Sequence, residues 1–102
     1  MSDEARDPLE VDPQHYTVEF ENERVRVIRI RYAPGEKSVM HSHPASVSVF
    51  LTDFYGQFTY PDGKTEEARV QAGQVFWDDP ETHLPENLGD QPFEVLQIEL
   101  KG

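Results

Sequence analysis

Cysteine is absent from the 102-residue chain. This excludes a disulfide framework, a thiolate metal site and a cysteine nucleophile, and restricts any bound metal to nitrogen and oxygen ligands. Basic residues are scarce: nine lysines and arginines face twenty aspartates and glutamates, for a formal net charge of −11. That balance is the opposite of a nucleic-acid footprint and disfavours an anionic membrane, so neither is an expected partner. Long apolar runs are missing as well. No stretch approaches the ~20 residues of a membrane-spanning helix. The start, Met1 to Glu10, is acidic where a secretory signal would be basic and then apolar, so the expected location is the cytoplasm. Convincing helical periodicity with capping residues is also lacking.

The remaining composition, 36% hydrophobic and 11% aromatic, suits one small domain. A core of that size buries little more than half of the unfolded chain's surface, which makes a homodimer the expected assembly. Residues 1–13 carry Asp3, Glu4, Asp7, Glu10 and Asp12, a composition that predicts a flexible acidic arm. Residues 14–102 then follow a period of two, the mark of strands with one buried face. Tyr16, Val18 and Phe20 alternate with polar residues; Val25 to Tyr32 switches parity between Val27 and Ile28, which predicts burial of both faces or a bulge. Val47, Val49 and Leu51 alternate with Ser46, Ser48 and Thr52. Pro61 to Lys64 predicts a hairpin turn, and Ala68–Val70, Val75–Trp77 and Phe93–Leu100 complete about eight strands. The fold class is all-β, a small sandwich or barrel.

His41 and His43 stand one residue apart next to the Val47 strand. Residues i and i+2 of a strand share a face, so both rings can converge on one point, and an unbroken register gives them the parity of Val47, Val49 and Leu51. Two imidazoles on an apolar inner face need partners for their ring nitrogens, and a divalent cation satisfies one on each. His83, in the tight segment after the Val75–Trp77 strand, is the best third ligand; His15, at the edge of the arm, is less well placed.

Gly35, His41 and His43, followed by Gly73, Pro80, His83 and Asn87, resemble the two motifs of the cupin superfamily, small double-stranded β-helix (jelly-roll) barrels. The first motif's customary glutamate is missing: its position holds Val47, followed by Ser48. The closing glycine, matched to Gly56, comes two residues late, and the second motif lacks its inner glycine and reaches His83 one residue early. The resemblance implies a divalent metal (Fe, Mn, Ni or Zn) on His41, His43 and His83, and a dioxygenase-like oxidoreductase acting on a small molecule. Three neutral imidazoles leave a site of charge near +2, which favours an anionic or enolisable chelating guest. Val47, Val49, Leu51, Phe58, Tyr60, Phe76 and Trp77 are the candidate pocket wall, in whichever subset faces inward, and Glu81 or Glu86 a loop carboxylate ligand or general base. The alternatives are a non-catalytic ligand- or metal-binding barrel and a metal-dependent isomerase or lyase.

Overall fold

Nine strands and one helical turn build the chain, in a computed structural model that describes residues 6–102. They are α1 (Pro8–Val11), β1 (Tyr16–Glu21), β2 (Val25–Tyr32), β3 (His41–His43), β4 (Ser46–Phe50), β5 (Phe54–Thr59), β6 (Thr65–Val70), β7 (Val75–Asp78), β8 (Glu81–Asn87) and β9 (Phe93–Leu100). Two antiparallel sheets face each other, one ordered β1-β2-β9-β4-β7 and the other β3-β8-β5-β6. This is a double-stranded β-helix, as the sequence predicts. Tyr16, Ile28, Ile30, Tyr32, Phe50, Phe54, Phe93 and Val95 form the core between the sheets.

The parity switch in β2 has two causes at once. Val27 and Ile28 are both buried, on opposite faces of the strand, and the partner strand β1 carries a bulge between Val18 and Phe20. The extra residue lets Val18 pair with Ile28 and Phe20 with Val27. The predicted hairpin joins β5 to β6, with Gly63 at φ +89° and its N–H donating to the Tyr60 carbonyl at 2.8 Å.

The sequence is corrected at three places. Residues 1–5 of the expected arm lie outside the described residues, but from Arg6 onward the segment is docked. Asp7 caps α1 by accepting from the Leu9 N–H at 3.0 Å, Pro8 is buried, and the Ser42 N–H donates to the Arg6 carbonyl at 2.8 Å, beside β3. Two of its acids are paired, Asp7 with Arg26 and the buried Asp12 with His15 and Ser38, pairings that composition does not reveal. Second, His83 lies within strand β8 and not in a turn. Third, the register breaks at Pro44 and Ala45. There the chain leaves the four-stranded sheet for the five-stranded one, so Ser46, Ser48 and Phe50 face inward while Val47 and Val49 face out.

Candidate metal centre

Strand pairing brings the three histidines together. On β3, His41 and His43 point inward and Ser42 outward; across the ladder His41 sits opposite His83, and His43 opposite Glu81. Ring centroids lie 4.8 Å apart for His41–His43, 5.0 Å for His41–His83 and 5.2 Å for His43–His83. Their ligating nitrogens all fall within 4.8 Å of one another, and among the described residues no carboxylate joins the cluster.

Each ring is held differently. The Nδ1–H of His43 donates to Glu99 Oε2 at 2.8 Å, and Glu99, only 2% exposed, also accepts from Arg26 at 2.7 and 3.0 Å. Arg26 bonds Asp7 in turn, and these two acids raise its already high pKa further, the bond to Asp7 foremost. The Nδ1–H of His41 donates to the Val39 carbonyl at 2.9 Å and lies 3.2 Å from Ser38 Oγ, whose own hydrogen goes to Asp12. Both rings thereby turn Nε2, with its lone pair, toward the shared space. The His83 Nδ1 is buried and has no hydrogen-bond partner among the described residues; its nearest acid, Glu81, is 3.6 Å away.

Burial, reinforced by the neighbouring His43 and His83, pushes the His41 pKa down to about 3. Burial lowers His43 too, against the opposing pull of Glu99. Two neutral, pre-aimed imidazoles and an orphaned third nitrogen fit a divalent cation. Tyr16 completes the inner face: its hydroxyl stands 3.2 Å from His41 Nε2 and 2.7 Å from the Tyr32 hydroxyl. Burial first, and then Tyr32, push its pKa well above the ordinary tyrosine value, so it stays a neutral donor.

A cavity of about 380 Å³ opens beside His43 and His83. Phe50, Phe54, Phe58, Phe76 and Phe93 form its wall, Ser48 and Gln97 add polar groups, and Tyr60, Glu66, Asp78, Asp79 and Glu81 also line it. No lysine or arginine lines it among the described residues. Of the predicted wall, Phe58, Tyr60 and Phe76 take part, whereas Val47, Val49 and Trp77 lie on the outside of the sheet and Leu51 is exposed beyond the end of β4. Glu86 also faces away, paired with Gln57 between two buried, inward residues, Pro85 and Asn87. Asn87 pins the loop after β8, donating to the Gln91 carbonyl at 2.9 Å and accepting from the Gly89 N–H at 2.8 Å. His15 is buried but remote in role, stacked on Tyr32 at 4.2 Å and bonded to Asp12 and Glu36. Sequence reasoning missed Glu99 and did not assign Tyr16 to the site. The inward alternation of Phe93, Val95, Gln97 and Glu99 on β9 is the one signal that could have flagged Glu99, as an acid in a core register.

No family model and no curated protein matches the chain. Solved structures do. A cupin domain from Bordetella pertussis Tohama I is 28% identical, with a TM-score of 0.79 over 85% of this chain and 92% of that one. A cupin 2 conserved barrel domain protein from Salinispora arenicola CNS-205 is 18% identical, with a TM-score of 0.64 over 90% of this chain and 79% of its own. A cupin superfamily protein from Desulfitobacterium hafniense DCB-2 is 16% identical, with a TM-score of 0.63 over 85% and 76%. The architecture defines a double-stranded β-helix barrel carrying a three-histidine group inside. The chain's fold is that of a small cupin domain. No helix among the described residues is long and apolar enough to cross a membrane.

Proposed function

We propose that this chain binds one divalent cation through His41, His43 and His83 and acts as a metal-dependent oxidoreductase of dioxygenase type on a small enolisable molecule. The observation that supports this most is the convergence of three imidazoles, two of them aimed by fixed acceptors, beside an aromatic-walled cavity. When bound, the cation supplies Lewis acidity and, if redox-active, a site for dioxygen. Iron, manganese, nickel and zinc all accept imidazole ligands.

The chain's own residues supply the rest. The phenylalanine wall excludes water and orients the guest. The carboxylates lining the cavity repel a permanent anion, which selects, within the anionic or enolisable class, a guest that enters uncharged. Glu81 is the base that removes its proton: the adjacent His83 ring holds its carboxyl below the ordinary glutamate value, so it is ionised at neutral pH. The neutral Tyr16 hydroxyl, 3.2 Å from His41 Nε2, would be the donor to an oxygen of the guest held at this site. The position of Glu81 also supports a second reading, a metal-dependent isomerase or lyase in which the proton is moved and no oxygen is consumed.

Metal analysis of tag-free protein after incubation with iron, manganese, nickel and zinc tests the first step. The expected result is one equivalent in wild type and loss in His41→Ala, His43→Ala and His83→Ala. Wild type that stays metal-free, or equal occupancy in all four proteins, overturns the site. Oxygen uptake with diketones, thiols and catechols then separates the readings, with Glu81→Gln slowing turnover at unchanged metal content. Deuterium exchange into the guest without oxygen uptake selects the isomerase or lyase; metal bound with neither activity leaves a non-catalytic metal-binding barrel.

A further inference from the structure

We infer that Asp12, which bonds none of the three clustered histidines, is a positioning residue for His41: by holding the hydroxyl of Ser38 it decides which ring nitrogen carries the hydrogen. What that placement serves rests on the metal site proposed above; the placement itself is a property of the metal-free protein. His43 needs no such device, because the acceptor behind its Nδ1 is the Glu99 carboxylate, which has no hydrogen to give. Behind the Nδ1 of His41 stand the Val39 carbonyl at 2.9 Å and the Ser38 hydroxyl at 3.2 Å. A hydroxyl both donates and accepts, so Ser38 on its own fits either tautomer.

Both tautomers find partners in this fold. In one, Nδ1–H donates to the Val39 carbonyl and Nε2 keeps its lone pair for the shared space. In the other, the Ser38 hydroxyl donates to a bare Nδ1, and Nε2–H donates to the Tyr16 hydroxyl 3.2 Å away, which gives its own hydrogen to Tyr32 at 2.7 Å. The second form sets an N–H where a metal ligand must offer a lone pair. Asp12 breaks the tie. Its Oδ2 lies 2.6 Å from Ser38 Oγ, closer than the 3.2 Å from that oxygen to His41 Nδ1, and a carboxylate draws a hydroxyl hydrogen more strongly than a neutral ring does. Ser38 is left with only lone pairs to turn toward Nδ1, which favours the hydrogen there. Asp12, Ser38 and His41 are all buried, and in such surroundings an unmet donor or acceptor is costly, which sharpens the choice. Asp12 is itself held in place: His15 Nδ1 bonds both of its carboxylate oxygens, at 2.9 and 2.8 Å, and its N–H closes α1 onto the Pro8 carbonyl at 2.8 Å. The segment that composition assigns to a free acidic arm thereby makes His41 competent as a ligand.

Long-range nitrogen–proton correlation spectra of the metal-free full chain at neutral pH, where His41 is uncharged, read its tautomer; chelator competition with zinc reads the consequence. Wild type is expected as the Nδ1–H form alone. In Asp12→Ala the freed hydroxyl hydrogen turns to Nδ1, the Nε2–H form appears and zinc affinity falls. Removing the hydroxyl as well, in Asp12→Ala/Ser38→Ala, restores the Nδ1–H form, and zinc affinity rises over that of Asp12→Ala by the inverse of the Nδ1–H fraction in the single variant. A merely structural role predicts the opposite, since the lost His15 pair is common to both variants and a second buried truncation only adds damage. Asp12→Asn keeps the volume and weakens the grip on Ser38, so it shows the same recovery to a smaller degree and serves where Asp12→Ala does not fold. An Nε2–H ring in wild type, a pure Nδ1–H ring in the Asp12 variants, or no recovery on adding Ser38→Ala overturns the inference. Wild type that takes up no zinc removes the metal reading instead, and the spectra alone then decide the role of Asp12.

Discussion

Replacing Glu99 by glutamine isolates the one buried acid that aims a histidine of the cluster. Glu99 accepts three hydrogen bonds, one from the His43 Nδ1–H at 2.8 Å and two from Arg26 at 2.7 and 3.0 Å. The amide keeps the shape but loses the charge, and its NH₂ cannot accept from whichever donor it faces. A carboxylate behind a metal-binding imidazole fixes the tautomer and raises the ring's basicity, and removing it typically weakens metal binding about 10–100-fold. That loss corresponds to about 1.4–2.8 kcal/mol of binding free energy. Arg26 keeps both bonds to Asp7 at 2.9 and 3.0 Å, so the cost to folding falls at the lower end for a broken buried pair, about 1–3 kcal/mol. Competitive chelator titration with zinc, wild type beside Glu99→Gln and His43→Ala, reads the first quantity; urea unfolding of the metal-free proteins reads the second. The expected order of affinity is wild type, then Glu99→Gln, then His43→Ala. Equal zinc affinity in wild type and Glu99→Gln, with His43→Ala strongly impaired, would refute the orienting role of Glu99.

Two further outcomes follow from the same geometry. Because His41 is lowered to about 3 in the fold and titrates at an ordinary 6.5 when unfolded, the unfolded chain takes up the extra proton. Metal-free protein therefore has its full stability above about pH 6.5 and loses it progressively as pH falls toward 3. A urea midpoint that drops between pH 7 and pH 5, above the ordinary carboxyl range, checks this; a flat or rising midpoint in wild type contradicts it, and His41→Asn should flatten the slope. Gly56→Ala places a methyl 2.5 Å from Phe54 Cζ and 2.8 Å from the Glu86 carbonyl oxygen. Overpacking of this kind costs about 1–3 kcal/mol, so a loss in unfolding free energy below about 0.5 kcal/mol would show that β5 and β8 can move apart there.

Much of the barrel is legible in the residue order because period two is a local property. β1, β2 and β9 begin and end where the alternation does, and the bulge opposite Val27 and Ile28 leaves its trace as a parity switch. The histidine pair is legible for the same reason, since a spacing of two on a strand fixes a common face. Alternation does not say which face is the inside. On β4 the usual rule is inverted: Ser46 and Ser48 point in, where Gln97 and Asp78 bond them, and Val47 and Val49 point out. The valine in the customary glutamate position is therefore outside the barrel.

The sequence alone determines the strand-rich class, the exclusion of sulfur ligands, and the shared direction of His41 and His43, because each depends on composition or on neighbours within a few positions. Only the tertiary structure decides that His83 meets them from across a ladder, that Glu99 reaches His43 over 56 positions of chain, and that Glu81 lines the cavity while Glu86 does not. Those relations depend on where the chain bends between sheets at Pro44 and Ala45, and a bend resets the phase of everything after it without leaving a periodic mark of its own.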